Sequence, residues 1–195
     1  MSLVFHEVAH GYVAHRLGDP TAKSRGRLNL NPLKHLDPFG TLVLFLTFFG
    51  SGGSMLFGWA KPVPINPGYF KSPQKGMALV GAAGPLTNLL LAMASAFVLE
   101  DFLTTSSMAQ TVVFTIFQLN VILMLFNLIP VPPLDGSRII GAFLNRQTYI
   151  RWVRLDQYGM MFMMVVLFLM IGPFNTAFFD VLRGIYQVFL PSYTF

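Results

Sequence analysis

The segment His6-Glu7-Val8-Ala9-His10 sets two imidazoles four residues apart with a carboxylate next to the first. On a helix that spacing puts both histidines on one face, where they can share a zinc ion. The glutamate then sits where it can take a proton from a water on the metal. A catalytic zinc uses three protein ligands and keeps one position open. The chain has no cysteine, which excludes thiolate sites, disulfides and iron–sulfur clusters, so the third ligand must be His, Asp or Glu. The metzincin pattern is excluded too, because it needs glycine and histidine where this chain has Val13 and Arg16. Glu100 is the only other glutamate, His15 falls nearly opposite the His6 face, and His35 lies among basic residues.

Among the aspartates, Asp135 stands out by its setting, Asn127-Leu128-Ile129-Pro130-Val131-Pro132-Pro133-Leu134-Asp135-Gly136. The prolines end the preceding helix, since each lacks a backbone donor and clashes with the turn before it. A helix end at membrane depth is tolerated only inside protein or beside water, so Asp135 is expected to face a wet interior. Gly81, Gly84, Asn88, Ala92 and Ser95 form a small, polar stripe that lets neighbouring helix backbones approach closely. Within it, Asn88 is read as a donor to a substrate carbonyl or oxyanion. Asn120 and Asn127 share a face and are read as links between helices.

The elements that must position these groups are helices in lipid. Hydrophobic residues make up 54% of the 195 and charged residues only 11%, with a mean hydropathy of +0.60. A soluble domain has about 45–50% and about 25%. Five stretches are apolar enough to enter a bilayer: 1–17, 39–60, 77–99, 109–128 and 158–179. The net charge of +5 comes from Lys and Arg grouped between these stretches, a pattern of membrane topology rather than of nucleic-acid binding. Arg16, Lys23, Arg25, Arg27 and Lys34 precede the second stretch and Lys61, Lys71 and Lys75 follow it, so both its flanks are cytoplasmic. That implies a re-entrant or β-hairpin segment around 39–65, with Gly52 and Gly53 at its tip as a substrate-clamping loop. The run 57–65 is an alternative clamp by strand addition, with Pro62 and Pro64 confining it to an edge. The loop after Glu100 is expected outside, and Arg138, Arg146, Arg151 and Arg154 return the chain to the cytoplasmic side. The segment 180–195 reads as a short span or an interfacial helix.

With the HExxH, Gly84-Pro85-Leu86-Thr87-Asn88 and Leu134-Asp135-Gly136 in hand, the chain resembles the site-2 protease family of intramembrane metalloproteases, in its small bacterial and archaeal form. The stretches 18–22, 35–40 and 58–64 share the likeness. The resemblance implies an all-α polytopic membrane protein with a three-helix catalytic core and accessory helices. It implies one domain over 1–195, with its core at about 1–140 and accessory helices at about 141–195. It also implies one zinc ion held by His6, His10 and Asp135, with Glu7 as base. The substrate would be a single-span membrane protein, cut at a site reached from the cytoplasmic side of a prokaryotic cell membrane. Five residues before His6 is short for the family and suggests a shortened chain or a late start. Two rival readings stand beside this one: a catalytically inactive membrane scaffold, and a membrane HExxH protease with a distal glutamate ligand.

Overall fold

The computed structural model describes residues 1–50, 52, 58–102, 108–171, 175–191 and 193. Its helices in chain order are α1 (Ser2–Arg16), α2 (Thr21–Ser24), α3 (Pro38–Gly50), α4 (Pro73–Phe102), α5 (Met108–Leu128), α6 (Asp135–Gly141), α7 (Arg146–Arg154), α8 (Gly159–Ile171) and α9 (Asn175–Phe189). Among the described residues there is no β-ladder, only an isolated antiparallel bridge between Leu36 and Ala60. The protein is all-α.

Helix α4 is the hub, packing against α1, α5 and α6. Both α4 and α5 are long and apolar enough to cross a membrane. Their polarity is arranged inside out. Leu79, Leu86, Leu90, Met93 and Phe97 form an exposed apolar face of α4, while Asn88 of α4 and Asn120 of α5 are fully buried. An exposed apolar face of this length suits lipid, and buried carboxamides need partners within the protein. Pro85 is accommodated inside α4, which continues to Phe102.

The proline-rich run after α5 does end the helix, and α6 starts at Asp135. Gly136 makes this junction possible, because a Cβ there would lie 2.6 Å from the Ile129 carbonyl oxygen. Three hydrogen bonds hold α6 and the turn after it in place: Trp152 Nε1 donates to Ser137 O (2.9 Å), and Gln74 Nε2 of α4 donates to Gly141 O and Leu144 O (2.6 Å each).

The segment expected to be re-entrant begins with helix α3, and the chain from Gly58 onward is extended. After α3 the chain returns beside it, since a Cβ on Gly58 would meet Leu44 Cβ at 2.7 Å and Gly40 O at 2.8 Å. The hairpin expected around 39–65 therefore has no second strand among the described residues. Pro62 and Pro64 have no N–H to give to a ladder. The carbonyls of Lys61 and Pro62 and the amides of Val63 and Asn66 are instead taken up by the side chains of Arg27, Glu7 and Asp19. Gly52 sits in a turn at φ +64, and no described residue lies within 4 Å of a Cβ placed there; Gly53 lies outside the described residues.

The apolar run 158–179 takes in α8 up to Ile171 and the start of α9 from Asn175, and residues 172–174 between them lie outside the described residues. Helix α9 takes up most of the segment read as a short span or interfacial helix. Its Leu182 and Tyr186, with Leu190 just beyond, pack on Ala92, Ala96 and Leu99 of α4 and on Phe117 and Val121 of α5.

Candidate metal centre

His6 and His10 are buried on the α4-facing side of α1. Their rings approach α4 at Gly84, where a Cβ would come within 2.5 Å of His10 Nε2 and His6 Cε1. The absence of a side chain there is a steric requirement of the site. Asp135 enters from the first turn of α6, and its Oδ2 lies 3.2 Å from the Nε2 atoms of both histidines. The ligand atoms of the three residues all fall within 4.8 Å of one another.

The hydrogen-bond partners on the far side of each ring assign the tautomers. His10 Nδ1 is 2.7 Å from Val80 O, which can only accept, so Nδ1 carries the proton. His6 Nδ1 is 2.6 Å from Asn88 Oδ1, while Asn88 Nδ2 donates to Asn120 Oδ1 at 2.8 Å. That chain orients the Asn88 carboxamide so that its oxygen faces His6, and His6 Nδ1 is again the donor. In the neutral rings both Nε2 atoms then carry lone pairs. They lie 3.0 Å apart and face Asp135 Oδ2, which has no other hydrogen-bond partner among the described residues. Three electron-pair donors at this separation repel unless a cation lies among them. Two imidazoles and a carboxylate are a donor set suited to zinc.

Glu7 occupies the next position on α1, and its Oε2 accepts a hydrogen bond from Val63 N at 2.9 Å. A cavity of about 340 Å³ opens over these groups, lined by His6, Glu7, His10 and Asp135 together with Val63 and Arg138 among others. Arg138 also forms a 2.6 Å ion pair with Asp156. Asn127, expected to link helices, lines the cavity and donates within its own helix to Leu123 O at 2.9 Å.

The expected role of Asn88 differs from its placement. It is fully buried, its oxygen faces His6 and its amide nitrogen donates to Asn120, so it orients a ring instead of facing a substrate. Gly52 does not line the cavity, whereas Pro62, Val63 and Ile65 of the returning chain do. Sequence reasoning missed Arg27. Its guanidinium is buried and donates to Lys34 O (2.7 Å), Lys61 O (2.6 Å) and Pro62 O (3.4 Å), which fixes the returning chain against the site. In sequence it is one more cation of a basic loop, and nothing there distinguishes it.

An all-α chain that brings an HExxH pair and a carboxylate to the floor of a cavity has the form of a metallopeptidase. Comparison with known proteins narrows this. The model of peptidase family M50 matches residues 101–171, which include Asp135. Two relatives, each named a putative zinc metalloprotease, align over 182 residues. YwhC of Bacillus subtilis is 40% identical across 89% of this chain and 80% of its own length. Rip2 of Mycolicibacterium smegmatis is 33% identical across 92% of this chain and 68% of its own. The zinc metalloprotease MJ0392 of Methanocaldococcus jannaschii is 26% identical over 147 residues, 75% of this chain and 33% of its own. No solved structure matches. The chain belongs to peptidase family M50, the site-2 protease family that its motifs resemble.

Proposed function

We propose that this chain is an intramembrane zinc metalloprotease that hydrolyses peptide bonds of membrane-spanning substrates. The observation that carries this reading is the convergence of His6, His10 and Asp135 beside the Glu7 carboxylate in one cavity. In this reading the three residues hold one zinc ion. When bound, the ion supplies Lewis acidity that makes water nucleophilic near neutral pH and polarises a carbonyl.

Glu7 acts as the general base. One carboxylate oxygen is anchored by the Val63 amide, which leaves the other to take the proton of the attacking water and hand it to the leaving amine. Asn88 and the Val80 carbonyl keep both imidazoles in the ligating tautomer. A substrate helix hides its peptide groups in its own hydrogen bonds, so it must unwind before attack. The returning chain at 62–65, which lines the cavity, would hold the unwound substrate by strand addition. This part of the chain, rather than the tip at Gly52 and Gly53, is the clamp in our reading.

The apolar outward face of α4 supports a multi-pass chain in the membrane, folded as one domain. The basic residues before α3 and between α3 and α4 support a cavity on the cytoplasmic half, where water would reach it.

The test combines zinc content with cleavage of a single-span reporter in the parent, Glu7→Gln and Asp135→Asn. Glu7→Gln should keep its zinc and lose cleavage, and Asp135→Asn should lose both. Undiminished cleavage by Glu7→Gln would reject the mechanism. A parent that binds zinc and cuts no membrane substrate would favour the inactive scaffold.

A further inference from the structure

A second cavity, of about 350 Å³, lies where the C-terminal end of α1 meets the start of α4, away from the metal centre. Arg16 from α1, Lys71 just before α4 and Lys75 in its first turn converge on it, and among the described residues no carboxylate lines it. Among the described residues the ion pairs involve Asp135 and Asp156, so none of these three cations is neutralised. Arg16 touches the Tyr12 hydroxyl and stacks 5.0 Å from the centre of its ring, contacts that leave its charge in place. Asp19, a nearby acid in sequence, is engaged by Asn66 and Thr21.

The remaining wall of the cavity is apolar. Phe70 is buried, Leu17 is half-buried, and Leu79 is 57% exposed. Leu79 is also the first residue of the outward face of α4 that continues through Leu86, Leu90, Met93 and Phe97. A basic cavity thus opens directly onto an apolar stripe running along the helix. A free anion would use only the first of these features; a phospholipid uses both.

We propose that this cavity binds the phosphate of an anionic phospholipid, with its acyl chains lying along the outward face of α4. Three unpaired cations supply the attraction, in the way that basic pockets on the cytoplasmic side of membrane proteins hold acidic headgroups. Bound lipid would bridge α1 and α4, the two helices that meet at Gly84 around the histidines. The proposal rests on the membrane placement argued above and not on catalysis, so its test reads lipid and not cleavage.

The full chain, stripped of lipid in neutral detergent, is incubated with phosphatidylcholine vesicles containing phosphatidylglycerol, repurified, and its retained lipid is quantified. The parent should enrich phosphatidylglycerol over phosphatidylcholine. Lys71→Gln with Lys75→Gln should cut that enrichment by about tenfold. Arg151→Gln with Arg154→Gln, the same charge change on exposed positions of α7, should leave it unchanged. Equal losses in the two double variants would mean general surface attraction and overturn the site. Displacement of the lipid from the parent by millimolar inorganic phosphate, with no phosphatidylglycerol enrichment above that level, would assign the cavity to free phosphate and overturn the lipid proposal. Zinc content, measured in parallel, is expected to stay the same in every variant.

Discussion

The Glu7 carboxylate and the Val63 amide are joined by a 2.9 Å hydrogen bond across 56 residues of sequence. One contact ties the HExxH helix to the extended chain that returns from α3. The group we assign as the base is therefore oriented by the same backbone that lines the substrate side of the cavity. Val63→Pro removes this donor. Cleavage should fall by at least tenfold with zinc retained, since a misoriented base loses much of a contribution of about 10²–10⁴. Reporter cleavage alongside metal analysis checks this, and full activity would refute the orienting role.

Asn88→Ala takes the acceptor from His6 Nδ1 and leaves the buried Asn120 oxygen without its donor. Loss of such an outer partner costs about 10–100-fold in metal affinity. Competition with a calibrated zinc chelator should report a weaker site. If affinity is unchanged and only turnover drops, Asn88 acts on substrate after all.

Gly84→Ala places a methyl group 2.5 Å from both imidazoles. Either α1 moves away from α4 or the rings rotate, and the three-donor geometry is lost in both cases. Zinc per chain should fall well below one, and a variant that still binds stoichiometric zinc would contradict the packing argument.

Arg27→Met strands the Lys34 carbonyl and the Lys61 carbonyl of the returning chain. Hydrogen bonds to a charged donor are worth about 1.5–3 kcal/mol, so the thermal midpoint should drop clearly. Arg27→Lys keeps the charge but not the fork that reaches separate carbonyls, and should fall between the two.

Acid should weaken the corner where α1 turns into α2. Burial opposes the charge on Asp19, but hydrogen bonds from the Asn66 amide and from Thr21 outweigh it and hold the carboxyl below its usual range. A folded value lower than the unfolded one gives stability that is fully present above the unfolded value, about 3.9. That stability is lost as the pH falls through the folded value. Thermal midpoints of the parent should therefore decline at acid pH, and Asp19→Asn should start lower and show a flatter decline.

How much of this could be read in advance follows from the range of each interaction. The spacing of His6, Glu7 and His10 already placed the two imidazoles on one face, because helical periodicity is local and four residues are about one turn. Composition and charge grouping made the chain an apolar helical protein, and the prolines from 130 to 133 ended α5, because these too are properties of short segments. What brings Asp135 to the histidines is different. It needs α6 to pack on α4 and Gly136 to admit the end of α5, contacts between residues far apart in the chain. The same holds for Asn88, whose type announced a partner without saying which, and whose role changed once Asn120 and His6 lay on either side of it. Arg27 makes the point most sharply. A buried guanidinium and a surface one are the same letter, and only the folded chain decides which carbonyls surround it.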